Sequence, residues 1–313
     1  MDATDVKTVS VIGAGLMGHG IAQSFAQAGY HVYLRDVKQE FLTAALGRMN
    51  ENLRKLSSAD LIQADQIGPT MSRVSPTLDL KEALANSDFV IEAATEDINL
   101  KKTIFADASK LSNDRTILAT NTSGLPIADI AKATNRGGKV IGTHFWNPPF
   151  LLRAVEVVKG EETTEETVRV TYELLKKIGK RPVVVKRDVP GQIGIRILYA
   201  MLREAMSLVE NGVATPEDID TVVREALGSR FPVVGVLELA DLSGVDLVLA
   251  VSRRLFKDLD NSPQPSKFLQ DMVTDGRTGI KNSKGFYDWT PAGIAATIKR
   301  RDDYLLKLLH DSS

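Results

Sequence analysis

An α/β domain built on a largely parallel sheet, followed by a wholly helical domain, is the architecture this sequence predicts. Three observations predict it. Short apolar runs of strand length alternate with helical periodicity up to about residue 187; the alternation stops at Asp188-Val189-Pro190-Gly191; beyond that point only helical spacing remains. The length of 313 residues also exceeds the roughly 250 to 300 at which one hydrophobic core stops growing, so two domains are expected, 1–187 and 188–313.

The strands are expected at Thr8 to Ile12, His31 to Leu34, Phe89 to Ile91, Thr116 to Ala119, Val140 to Gly142, Ala154 to Val158 and Pro182 to Val185. Most lack polar alternation, the mark of strands buried on both faces in a parallel sheet covered by helices. Between them Ile21 to Ala28, Glu40 to Leu56, Leu100 to Leu111 and Thr164 to Ile178 carry helix formers with apolar residues near 3.6 spacing. In the second domain helices are expected at Ile193 to Val209, Pro216 to Leu227, Val233 to Leu255 and Thr290 to Leu309. Thr215-Pro216-Glu217-Asp218 is a helix start, with Thr as cap, Pro at the first position and acids facing the positive dipole end. These helices hold more Leu, Val and Ile than a small domain needs, which predicts a homodimer.

Composition removes several function classes. Lys plus Arg number 39 and Asp plus Glu 40, a net charge of -1, so no excess of basic residues is available for nucleic acid. Cys is absent, which excludes disulfides, thiolate nucleophiles and thiolate-bound metals. The four His, at 19, 31, 144 and 310, lack ligand spacing, so no metal is expected. No apolar run approaches the roughly 20 residues that span a bilayer, and the polar start from Met1 to Lys7 has no secretory pattern. The expectation is a cytoplasmic protein without a membrane partner.

Val9-Ser10-Val11-Ile12 runs into Gly13-Ala14-Gly15-Leu16-Met17-Gly18 and then a helical segment. Gly-x-Gly-x-x-Gly is weak evidence alone, but between a strand and a helix each glycine has a task. Gly13 permits the tight turn, Gly15 lets backbone approach a pyrophosphate, and Gly18 lets helix pack on strand. Leu16 and Met17 complete the turn. Asp36 ends the next strand, where an acid bonds a ribose hydroxyl pair and repels a 2'-phosphate. The first domain is therefore expected to be a Rossmann-type domain that prefers NAD, unless the neighbouring Arg35 turns inward to hold a phosphate.

A second constellation joins Ser123 in Asn121-Thr122-Ser123, His144 in Thr143-His144-Phe145-Trp146-Asn147-Pro148-Pro149, and Glu156 in Ala154-Val155-Glu156-Val157-Val158. His144 follows an apolar strand, where such sheets place their ligands. Glu156 interrupts another, and a carboxylate there needs a partner. Pairing with His144 fixes the imidazole tautomer for general-base work; the alternative is an ion pair with Arg153 or Lys159.

These residues carry a resemblance to the L-3-hydroxyacyl-CoA dehydrogenase family over nearly the whole chain. The glycine turn, Val90-Ile91-Glu92-Ala93 with Glu96 and Lys101, Asn121-Thr122-Ser123, the His144 to Pro149 block, Glu156, Pro190-Gly191 and Lys284-Gly285-Phe286-Tyr287 occur in the family's order. The resemblance implies that Ser123 holds the substrate's reacting oxygen and that His144 transfers the proton with Glu156 as its partner. It also implies that Glu96, Lys101 and Asn121 line the nicotinamide end, and that a helical dimerisation domain closes an active cleft that Asn147 borders.

Two departures bear on the substrate. The family's Phe-x-x-Asn-Arg after Pro-Gly is here Gln192-Ile193-Gly194-Ile195-Arg196, so alignment on Arg196 puts Ile195 in place of Asn and Gln192 in place of Phe. Three residues apart, the two are expected on one helical face of the substrate pocket. Divergence or redesign are both open as its origin. Where typical members offer several lysines to the CoA phosphates, Asn52 to Gln66 has only Arg54 and Lys55. An NAD-dependent dehydrogenase of a 3-hydroxyacyl-type alcohol is the leading reading. A dehydrogenase of a small non-CoA hydroxy acid, ketone or aromatic aldehyde is the first alternative, because Pro182 to Lys186 and Leu198 to Ala205 resemble a relative that oxidises a pyridine-carboxylate aldehyde. A catalytically silent NAD-binding protein is the second.

Overall fold

The computed structural model describes residues 1–311. The chain forms two compact units, Met1–Arg196 with the segment from Arg300 onward, and Ile197–Lys299. In the first unit the strands are β1 (Thr8–Ile12), β2 (His31–Arg35), β3 (Val74–Thr77), β4 (Phe89–Glu92), β5 (Ile117–Thr120), β6 (Val140–Phe145), β7 (Ala154–Val158) and β8 (Arg181–Val185). The helices are α1 (Gly18–Gln27), α2 (Gln39–Ser58), α3 (Ile67–Ser72), α4 (Leu80–Ala85), α5 (Ile98–Leu111), α6 (Ile127–Ala131) and α7 (Glu165–Lys177). Then come α8 (Gly194–Glu210), α9 (Pro216–Val222), α10 (Val236–Ser243), α11 (Val245–Leu255), α12 (Lys267–Thr274) and α13 (Pro291–Asp311), so the division between units falls inside α8 and α13.

The eight strands form one sheet in the order β3-β2-β1-β4-β5-β6-β7-β8. Order reverses between β1 and β4, the crevice where open α/β sheets bind ligands beyond their strand ends. Val9, Val11, Val32, Phe89, Ile91, Ile117 and Ile141 are buried with α1, α2 and α7 against them, while Ile12, Val90, Leu118 and Val140 supply the opposite face with α5 and α6. Apolar side chains on both faces explain the continuous hydrophobic runs.

Departures from the expected elements have local causes. β7 runs antiparallel to β6, because only Trp146 to Arg153 connect them and a parallel crossover needs a dozen or more residues. The edge strand β3 escapes the sequence pattern because Ser75 and Pro76 break its apolar run. The helix expected over Val233 to Leu255 is split at Gly244, whose φ of 89° takes the left-handed region. The helix from Pro216 is α-helical to Val222 and continues as a wider turn over Val223–Gly228.

Candidate active site

Four strand ends on one edge carry the candidate residues: β1 leads into the glycine turn, β4 ends at Glu92, β5 leads to Asn121, and β6 carries His144. Gly13 has φ 107°, and a Cβ there would lie 2.6 Å from the Ala93 carbonyl oxygen; a Cβ on Gly18 would lie 1.7 Å from the Gly13 oxygen. A side chain at either position would push the α1 start away from the sheet. Gly15 faces open space. The turn, with Asp36 and Ala93, lines a cavity of about 520 Å³. Leu16 is exposed on its rim, whereas Met17 packs against the core.

Asp36 Oδ2 accepts from the Ala14 N–H at 2.7 Å and Oδ1 from the Val37 N–H at 2.6 Å, so the acid is fixed beside the turn. Arg35 does not turn to that carboxylate; its Nε donates to the Leu78 carbonyl at 3.4 Å. A cradle free of side chains, amides at a helix start and an oriented acid can hold a dinucleotide, and the residues fit that group.

Next along the edge is a buried charge network. Glu92, fully buried, accepts from Lys101 Nζ at 2.7 and 2.9 Å, from Thr120 Oγ1 at 2.6 Å and from the Ala94 N–H at 2.6 Å. Lys101 Nζ also lies 3.3 Å from Glu96 Oε2, and Glu96 Oε1 accepts from the Ser123 N–H at 2.9 Å and from Thr122 Oγ1. Lys101 stands behind Glu96 rather than on an open surface. It is 1% exposed and its ammonium is taken by two carboxylates, so it fixes Glu96 from behind. Asn121 Oδ1 accepts from the Phe145 N–H at 2.9 Å, joining the segment of Ser123 to that of His144 and leaving the Asn121 amide NH₂ without a partner among the described residues. Ser123 is exposed and its hydroxyl makes no hydrogen bond among those residues.

His144 and Glu156 stand directly opposite in the β6–β7 register. His144 Nδ1 donates to Glu156 Oε2 at 2.8 Å, and both side chains are buried. Glu156 Oε1 accepts from the backbone N–H of Ile193 at 2.8 Å and of Gly194 at 3.0 Å, the start of α8. Among the described residues Glu156 forms no ion pair with Arg153 or Lys159; Lys159 pairs with Glu165. Burial works to raise the Glu156 pKa, but the His144 hydrogen bond, the two N–H donors and the charge of His144 outweigh it and hold the carboxyl below its usual value. With Nδ1 committed to a carboxylate, Nε2 is the atom left to exchange a proton.

The Trp146 ring lies 5.0 Å from the His144 ring and against Gly194, where a Cβ would come within 2.2 Å of Trp146 Cζ2. The loop after Trp146 is held by buried Lys180, which donates to the carbonyls of Pro149 and Leu152. Desolvation, with help from Arg153, lowers the Lys180 pKa to about 8. Asn147 is exposed on this loop.

Gln192 and Ile195 do not share a helical face, contrary to the sequence reading. α8 begins at Gly194, and Gln192 sits before it with φ 45°, 2% exposed. Both its amide nitrogen and its amide oxygen are buried without a hydrogen-bond partner. Ile195 lies in the first turn, half-buried, with its Cγ2 near Gly191.

The family model for the 3-hydroxyacyl-CoA dehydrogenase NAD-binding domain matches residues 8–189, and that for the C-terminal domain matches 191–289. The chain belongs to the 3-hydroxyacyl-CoA dehydrogenase family. It is an NAD-dependent oxidoreductase. A probable 3-hydroxybutyryl-CoA dehydrogenase of Deinococcus radiodurans is 40% identical over 89% of this chain and 99% of its own. The 5-formyl-3-hydroxy-2-methylpyridine 4-carboxylate 5-dehydrogenase of Mesorhizobium japonicum is 35% identical over 91% and 92%. A solved structure of an enzyme with that activity, described as an NAD⁺-dependent dismutase, superposes with a TM-score of 0.91 at 33% identity over 97% of each chain. The (S)-3-hydroxybutyryl-CoA dehydrogenase structure from Ralstonia eutropha gives 0.76 at 32% identity, over 91% of this chain and 99% of its own.

Within this family member, the sequence offers Glu92 and Thr122 only as parts of motifs, without a role, and gives no sign of Lys180. Glu92 carried the same signal that singled out Glu156, a carboxylate closing an apolar strand. Nothing in the sequence marks Lys180 as buried.

Proposed function

We propose that this dehydrogenase interconverts a 3-hydroxyacyl-type alcohol and its ketone, with His144 taking the hydroxyl proton on Nε2 and returning it in the reverse direction. The buried His144–Glu156 pair supports this reading, because a carboxylate anchored by two amides orients the imidazole and leaves Nε2 to exchange the proton. Ser123 holds the reacting oxygen. NAD, when bound, supplies the hydride acceptor; Gly13, Gly15, Leu16, Met17 and Gly18 cradle it, Asp36 holds its adenosine ribose, and Glu96 and Asn121 face its nicotinamide end.

A compact substrate without CoA is the second reading, and a specific contact favours it. Lys55 Nζ lies 3.4 Å from Asp302 Oδ2 on α13, a carboxylate that is 6% exposed and also bonded by Arg301. One of the two cations on this stretch thus already has an anion. The TM-score of 0.91 with the pyridine-carboxylate enzyme, against 0.76 with the hydroxybutyryl-CoA enzyme, points the same way. Initial rates of NADH formation or consumption with acetoacetyl-CoA, 3-hydroxybutyrate, a hydrophobic ketone and an aromatic aldehyde test both readings. Turnover of acetoacetyl-CoA with NADH supports the first reading, and turnover of 3-hydroxybutyrate with NAD⁺ or of the ketone or aldehyde supports the second; binding of NADH without turnover of any supports a silent protein.

The second unit is read as a dimerisation surface. Among its described residues Met272 is the one buried large apolar side chain, while Val233, Leu237, Leu242 and Phe256 are 68–83% exposed. No helix among the described residues is long and apolar enough to cross a membrane. Together with the absence of Cys, this supports a cytoplasmic location.

A further inference from the structure

Arg48 lies on α2 and lines the same cavity as Gly13, Gly15 and Asp36. Its Nη2 donates to the Ala14 carbonyl at 2.8 Å, its one hydrogen bond among the described residues. Among the described residues its Nε is buried with no partner and no carboxylate pairs with the guanidinium. The charge is felt locally: desolvation lowers the pKa of His19, on the first turn of α1, and Arg48 lowers it further. A half-buried cation without a counter-ion, beside a glycine turn whose amides also favour anions, is a site built for an anionic group. The cavity's other cation, Arg35, is turned to the Leu78 carbonyl.

We infer that Arg48 is a cofactor-binding residue, a guanidinium that binds the pyrophosphate while holding the Ala14 carbonyl in place. The inference rests on NAD being the cofactor, and adds to the glycine-turn amides a charge that they lack. A pyrophosphate brings two negative charges to the turn, and a planar guanidinium can meet them with more than one N–H. A phosphate on the adenosine ribose is the other source of such an anion; Asp36, fixed beside the turn, repels it there.

The test is the dissociation constants of ADP-ribose, 2'-phospho-ADP-ribose and adenosine, each by competition against NADH fluorescence, for the full chain and for Arg48→Gln and Arg48→Lys. Arg48→Gln weakens ADP-ribose about tenfold or more while adenosine stays within about twofold, and Arg48→Lys recovers part of the loss. The ADP-ribose loss shrinks as salt rises. Unchanged ADP-ribose affinity overturns the inference, as does a loss confined to the 2'-phosphorylated compound. An equal loss for adenosine and ADP-ribose also overturns it, because Arg48 would then serve only the shape of the turn. Failure of NADH itself to bind the unaltered chain would instead count against the cofactor assignment.

Discussion

Ile195 stands where the family resemblance implies an Asn, and the consequence is chemical. An Asn amide at the start of α8 can donate to a substrate oxygen and accept from a hydroxyl; Ile can do neither. Ile195→Asn is therefore expected to raise kcat/KM for acetoacetyl-CoA relative to a simple hydrophobic ketone by about 10²-fold, the order of one oriented donor at a reacting oxygen. An unshifted ratio between the two substrates would show that residue 195 does not face the substrate. Glu156 gives a second expectation. Its folded pKa is depressed, so the stability it contributes is present above the ordinary glutamate value of 4.5 and is lost as pH falls through the folded value. Melting curves should show the wild type losing Tm below about pH 4.5 more steeply than Glu156→Gln.

At the scale of elements, the ends of β4, β5 and β6 are tied by polar side chains rather than by packing. Lys101 on α5 joins β4 to the loop that carries Glu96. Lys101→Met leaves Glu92 buried without its cation, and a loss of about 3–5 kcal/mol is expected in urea unfolding; a loss under about 1 kcal/mol would mean that Glu92 is held adequately by Thr120 and Ala94. The seven strands read from the sequence were legible from their apolar runs, and the glycine turn announced itself because three glycines fell between a strand and a helix. What escaped was set by tertiary context. Ser75 and Pro76 conceal an edge strand, eight residues between β6 and β7 reverse a strand's direction, and Gly244 breaks a helix whose apolar periodicity continues across it. The site divides similarly. His144 and Glu156 were legible because charge within an apolar strand demands a partner, whereas Gln192, in a turn with positive φ, looked like one more helical residue.

For the whole molecule, the exposed apolar surface of the second unit predicts a homodimer in solution. Light scattering coupled to size exclusion should return about twice the chain mass of 34.1 kDa, and Leu237→Asp should shift the protein toward the monomer. A monodisperse monomer at micromolar concentration would require another explanation for Val233, Leu237 and Phe256 in solvent. The central claim concerns proton transfer beside a bound NAD, and His144→Ala examines it with least intervention, since this residue lies on β6 and outside the glycine-turn cavity. Measured together on that variant, the NADH dissociation constant should stay within about twofold of the wild type while kcat on the best substrate falls by about 10² to 10⁴. Full turnover by His144→Ala at neutral pH would contradict the account.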